Sequence, residues 1–253
     1  MSTRNFYYDN VEAIAIRGLG SGEIRISESD DRGVSGTVSS DNEHYLDQIS
    51  LEESDGRVQV IFPNHFNAGA ELDVQVPAGI AFEATTGSAN VSADVALGPT
   101  RVTTGSGDVS LDAVAELQAT TGSGDISVQT IGGSAGQVNS GSGDISIGGT
   151  GAAVQAKSAS GDLSIGELWG VLRANTASGD ISVGCTTGSV EGRSSSGDIN
   201  IAVGDDLPAW LDLNTSSGEV LIGLDAGEQP EDGQPYASIR ATTASGDISV
   251  SRA

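Results

Sequence analysis

The chain has 253 residues, of which 37% are hydrophobic and only 4% aromatic, with 36 glycines against six prolines. Few large side chains and many glycines argue against a thick globular core and suit a thin one in which small residues stack in register. The formal net charge of −24, from 11 basic and 35 acidic residues, repels other polyanions and makes nucleic acid and anionic membrane poor partners.

Residues 1–10 are polar and contain no apolar run. No signal peptide or transmembrane stretch is visible along the chain, so a cytoplasmic location is expected, with a surface location left open for a longer chain. Residues 1–84 read as an irregular, β-rich start to the fold. Strand-like runs are expected at 11–16, 23–26, 48–51, 57–62 and 72–76, separated by polar loops. No amphipathic helix is expected.

From about residue 85 a repeat takes over, and internal repeats outrank local propensity as a guide to fold. Ser-Gly-Asp or Ser-Gly-Glu recurs with its acid at Asp108, Asp125, Asp144, Asp162, Asp180, Asp198, Glu219 and Asp247, in steps of 17, 19, 18, 18, 18, 21 and 28. The last step carries an insertion near 225–236. Degenerate copies stand at Gly87-Ser88-Ala89-Asn90 and at Gly20-Ser21-Gly22-Glu23.

Aligned on the acid, the repeats resolve into columns. Eight positions before it lie apolar residues such as Leu117, Val154, Leu172, Val190, Leu211 and Ile239. Four before it every copy has a hydroxyl: Thr104, Thr121, Ser140, Ser158, Thr176, Ser194, Thr215 and Thr243. Positions one and three after it are apolar throughout, from Val109 and Leu111 to Ile248 and Val250. Polar residues alternate with these columns, so each repeat reads as strand, Ser-Gly-Asp turn, strand and glycine-rich return. An antiparallel meander and a parallel coil both fit that unit. The columns favour the coil, because it stacks like on like about 4.8 Å apart. An all-β solenoid of eighteen-residue coils is therefore expected, right-handed by the crossover rule, as one continuous domain.

The hydroxyl column shares the parity of the apolar columns and should point inward. The glycine before each acid is expected to supply a positive φ at a sharp corner. The carboxyl end stops at Val250-Ser251-Arg252-Ala253, leaving an edge that something should cover, a second molecule being one candidate.

Three segments carry a family resemblance: Thr103-Thr104-Gly105-Ser106-Gly107-Asp108-Val109, Thr120-Thr121-Gly122-Ser123-Gly124-Asp125-Ile126 and Ala209-Trp210-Leu211-Asp212-Leu213. They resemble a bacterial domain-of-unknown-function family of "putative adhesins" with β-strand repeats, actinobacterial members most. The likeness spans nearly the whole chain, including Val76-Pro77-Ala78-Gly79. It implies a fold more than an activity.

Two sets of residues are candidates for binding. Asp108, Asp125, Asp144, Asp162, Asp180 and Asp198 form a column of carboxylates, which repel at close spacing and which calcium would bridge. The competing reading is that each Asp caps its own turn by accepting backbone N–H groups. Arg101, Gln118, Gln137, Gln155 and Arg173 form an outward row that suits a ligand, or simply a solvated sheet face. Asn139, Asn175 and Asn214 share a second row. An outward serine column, Ser110 to Ser182, has the flatness of an ice-binding array but lacks paired threonine rows.

Enzyme readings find little support. Lys157 is the sole lysine, and His44 and His65 are isolated in the irregular part. The Gly-Ser-Gly runs lead into strands, so they fail the context of a dinucleotide fingerprint. Cys185 is a lone thiol, and Trp169 and Trp210 are expected to pack at corners. The chain thus reads as a non-enzymatic scaffold or adhesin-like interaction surface for an unknown protein or glycan, with self-association through a solenoid end as a further possibility. No cofactor is expected apart from calcium. The alternatives are a calcium-, glycan- or peptide-binding module, envelope-stress sensing included, and last a carbohydrate-active β-helix enzyme.

Overall fold

A computed structural model describes residues 2–63, 69–205, 207–225 and 234–253. His65 and most of the 225–236 insertion lie outside the described residues. The described residues are all-β apart from one short helix, and the chain divides into two compact units, Met1–Val128 and Gln129–Ala253.

The first unit runs β1 (Ser2–Tyr8), β2 (Ala13–Leu19), β3 (Ser21–Glu28), β4 (Val34–Ser40), α1 (Glu43–Asp47), β5 (Ser50–Ser54), β6 (Arg57–Ile61), β7 (Gly69–Val76), β8 (Ala81–Thr86), β9 (Asn90–Thr104) and β10 (Val109–Thr121). Its interior is parallel. β2 lies between β6 and β8, and β3 lies between β7 and β9. The coil formed by β2 and β3 is thus inserted between coils that follow it in sequence. Antiparallel strands close the β6–β7 side: β5 on β6, β4 on β7 and β1 on β4. The β5–β6 hairpin turns through Asp55 and Gly56, with φ of 52° and 74°. Two successive positive φ values are the mark of a two-residue hairpin whose twist matches its strands.

The single turn of α1 is capped by Asn42, whose side chain accepts from the Tyr45 amide at 3.2 Å. Arg4 Nη1 donates to the carbonyls of Leu46 and Ile49 at 3.2 and 2.6 Å, tying the helix end to β1. β1, β4 and α1 are additions to the strand-like runs read from sequence.

β11 (Ile126–Ile131) crosses the division between units. The second unit continues with β12 (Ala135–Ser140), β13 (Ile145–Thr150), β14 (Ala153–Ser158), β15 (Leu163–Leu168), β16 (Val171–Asn175), β17 (Ile181–Thr186), β18 (Ser189–Arg193), β19 (Ile199–Val203), β20 (Ala209–Thr215), β21 (Val220–Ile222), β22 (Ala237–Thr243) and β23 (Ile248–Arg252). Its strands form two parallel walls. One stacks β12, β14, β16, β18, β22 and β20 in that order. The other stacks β13, β15, β17, β19, β23 and β21. The fold is a β-solenoid, and the register reproduces the sequence columns: Val154 on Leu172, Leu172 on Val190, Val190 on Ile239 and Ile239 on Leu211. Inside, Leu163, Ile165, Ile181, Ile199, Ile201 and their equivalents in β13 and β23 are buried. Each such side chain contributes roughly 1.5–3 kcal/mol by leaving water.

The last two coils do not stack in chain order. β22 and β23, the final strands of the chain, sit between β18/β19 and β20/β21. The edge expected at Val250–Ala253 is therefore covered by the chain itself, and the coil of β20 and β21 is the outermost of the described coils.

Candidate interaction surface

Three features line the outside of the coils: the turn column, the polar rows and the outermost coil. At the turns from Thr104 to Ser194 the inward hydroxyl accepts from the glycine amide three residues on. Thr104 accepts from Gly107 at 3.0 Å, Thr121 from Gly124 at 2.9 Å, Ser158 from Gly161 at 2.8 Å and Thr176 from Gly179 at 3.0 Å. These hydroxyls are buried, as their parity requires. In the second unit the same hydroxyls donate one coil back, Ser158 to Gly143 O and Thr176 to Gly161 O, both at 3.3 Å.

The carboxylate column does not cap its own turns. Along the column a backbone N–H donates instead to the side-chain Oδ1 of the residue one coil before. In the first unit Asp108 donates to Asn90 and Asp125 to Asp108, both at 2.9 Å. In the second the ladder runs Asp144, Asp162, Asp180, Asp198, Asp247 and Glu219, every step 2.8 Å. The carboxylates are exposed, and their spacing repulsion is offset by these charge-assisted bonds. Among the described residues, no group of three His, Cys, Asp or Glu side chains is placed to hold a metal ion.

The glycine before each acid has no positive φ; among the described glycines only Gly18, Gly22, Gly56 and Gly79 do. Its role is close approach. A Cβ on Gly107 would stand 2.0 Å from the Ala89 carbonyl oxygen, on Gly161 2.1 Å from that of Gly143, and on Gly197 1.9 Å from that of Gly179. The turns stack backbone on backbone, and any side chain would separate the coils.

The outward rows are in register. Arg101 lies beside Gln118 in the first unit. In the second, Gln137, Gln155, Arg173, Glu191, Arg240 and Asp212 form one continuous row. Arg173 meets Glu191 at 3.4 Å, Arg193 meets Glu191 at 2.6 Å, and Arg240 meets Asp212 at 2.8 Å. Asn139, Lys157, Asn175 and Arg193 make the neighbouring row. Gln118 and Gln155 are half-buried; Arg101, Gln137 and Arg173 are exposed.

The outermost coil differs from the rest. Val220 and Ile222 occupy columns that are buried in every other coil, yet are 41% and 54% exposed. Leu221 is 54% exposed and Trp210 47%, with Tyr236 exposed nearby. Leu221 was the available sequence signal: it stands in the outward column that is otherwise serine or asparagine. Trp169 is also exposed, at 57%, over Gly149 of the preceding coil. Neither tryptophan is a buried packing residue.

The family described as Toastrack DUF4097 matches residues 82–251. The chain belongs to that family. Solved structures with similarity to this toastrack protein include two named as adhesins. A "putative adhesin" from Bacteroides fragilis is 15% identical, with a TM-score of 0.50, over 98% of this chain and 96% of its own. A "putative adhesin" from Parabacteroides distasonis is 14% identical, with a TM-score of 0.46, over the same shares. Among functionally curated proteins, none matches. The toastrack match begins at β8, where the coils start to follow chain order.

Proposed function

We propose that this toastrack protein is a non-enzymatic interaction module whose stacked coils present straight rows of side chains to a protein or glycan. The observation that carries the reading is the register of the second unit. Its buried turn hydroxyls are spent on the fold itself: they accept from the glycine amide of their own turn and donate to the carbonyl one coil back. Its exposed polar groups are arrayed in repeating rows, the geometry of an extended contact surface. The net charge of −24 directs the surface away from nucleic acid and anionic lipid. Membership of the toastrack family, with an adhesin-named structure of similar fold, fits the same reading.

The test is a glycan and peptide array probed with the wild-type chain and with Gln155→Ala/Arg173→Ala. Saturable binding that the variant loses while its melting curve is unchanged supports the proposal. Release of cleavage products from any arrayed glycan would overturn it in favour of an enzyme.

A further inference from the structure

From the outermost coil we infer that a second copy of this chain docks on β20 and β21, end to end, as a closed two-fold pair. The inference is independent of what the polar rows bind. β20 pairs with β22 on one side and β21 with β23, and no described strand is in register with their other edges. Those edges present backbone N–H and C=O groups ready to pair.

The side chains say what kind of surface fits. Leu211, Leu213, Val220 and Ile222 continue the columns that Ile239, Ala241, Ile248 and Val250 fill one coil inward. The inner copies are fully buried, whereas the outer ones are half-buried or exposed. In the rest of the second unit such columns are covered by another coil with the same columns. The uncovered end of a second copy offers them. Leu221 and Trp210 extend the apolar surface onto the outside of the coil, and Leu221 is the one apolar residue in the serine and asparagine column of the repeats.

Charge selects the arrangement. With the two-fold axis along the sheet normal, β20 runs antiparallel to its own copy and β21 to its own. The Glu219 turns then lie at opposite ends of the interface rather than face to face. Asp212, the carboxylate on β20, is already paired with Arg240 at 2.8 Å. A two-fold contact also closes, so it ends in a pair and not a filament. The interface is small. Seven residues of β20 at about 3.3 Å each span roughly 23 Å, so the contact belongs to the weak, concentration-dependent class.

Sedimentation velocity over a concentration series tests this, with Val220→Lys/Ile222→Lys as the edge variant and Ser146→Lys as a control on an exposed row. The expected result is a two-chain species that grows with concentration for the wild type and control. It should be lost in the edge variant, whose melting curve stays unchanged because both sites are already exposed. Added salt should increase the two-chain fraction by screening the acidic chains. A wild type that stays a single chain throughout, an edge variant that pairs as well as the wild type, or growth into open filaments would each overturn the inference.

Discussion

Replacing Gly179 with alanine tests whether the coils stack backbone on backbone. The new methyl would lie 2.1 Å from the Gly161 oxygen, 2.6 Å from its carbonyl carbon and 3.0 Å from Asp162 Oδ1. The first distance is well over 1 Å inside the roughly 3.5 Å optimum of non-bonded heavy atoms. Its partner is backbone held in a parallel stack, which cannot rotate away as a side chain would. Relief requires opening the turn, at about 1–3 kcal/mol for overpacking. Opening also strains the Asp180 amide bond to Asp162 Oδ1, 2.8 Å, and the Gly179 amide bond to Thr176, 3.0 Å. Each bond is worth about 1 kcal/mol. The expected loss is about 3–5 kcal/mol. Gly151→Ala is the internal control: no atom lies within 4 Å of its Cβ and its φ is not positive. It should change stability by no more than about 0.5 kcal/mol. Urea denaturation with both variants reads the difference. Equal midpoints for Gly179→Ala and Gly151→Ala would refute the close-stacking account.

Three further outcomes follow from the same structure. Thr176→Val orphans the buried Gly179 amide and should cost about 1–3 kcal/mol, whereas Thr176→Ser should cost little, as read by thermal melting. Asp162→Ala removes the acceptor of the Asp180 amide and should cost about 1 kcal/mol, with Asp162→Asn retaining most of it; calcium titrated into the wild type should release no heat if the column serves to join coils. Tyr45→Phe removes a buried hydroxyl that has no hydrogen-bond partner and should be neutral or stabilising by about 1 kcal/mol. Burial raises the Tyr45 pKa above its ordinary value of 10.0. The wild type should therefore lose stability as pH rises past 10, and urea melts at alkaline pH should show the phenylalanine variant losing less.

The repeat made much of the second unit legible. The columns aligned on the acid are the columns in space, because a parallel coil converts sequence period directly into register. The inward hydroxyls and the row from Gln137 to Asp212 followed from parity alone. Coil order did not, because Leu211 and Ile239 occupy the same column and either order satisfies the side chains. The trace it left is in the connections: the steps of 21 and 28 around Glu219 are longer because the chain passes over a coil and returns. In the first unit, β4 (VSGTVSS) lacks a clean alternation because Gly36 packs under the Phe6 ring, so the strand is marked by what it touches rather than by its own pattern. The Asp55-Gly56 hairpin was readable by turn chemistry. The repeat glycines announced a constraint, but sequence could not say whether it was a positive φ or a close approach.

Coil order can be measured directly by cysteine cross-linking in a Cys185→Ser background. Asn200 lies beside Ser249, which in turn lies beside Leu221. Adjacent parallel strands stand about 4.8 Å apart, within reach of a disulfide, and strands twice that distance apart do not. Asn200→Cys/Ser249→Cys should oxidise to an intramolecular disulfide in the native protein, and Asn200→Cys/Leu221→Cys should not. The reverse result would place the coils in chain order and contradict the stacking on which the exposed β20–β21 end depends.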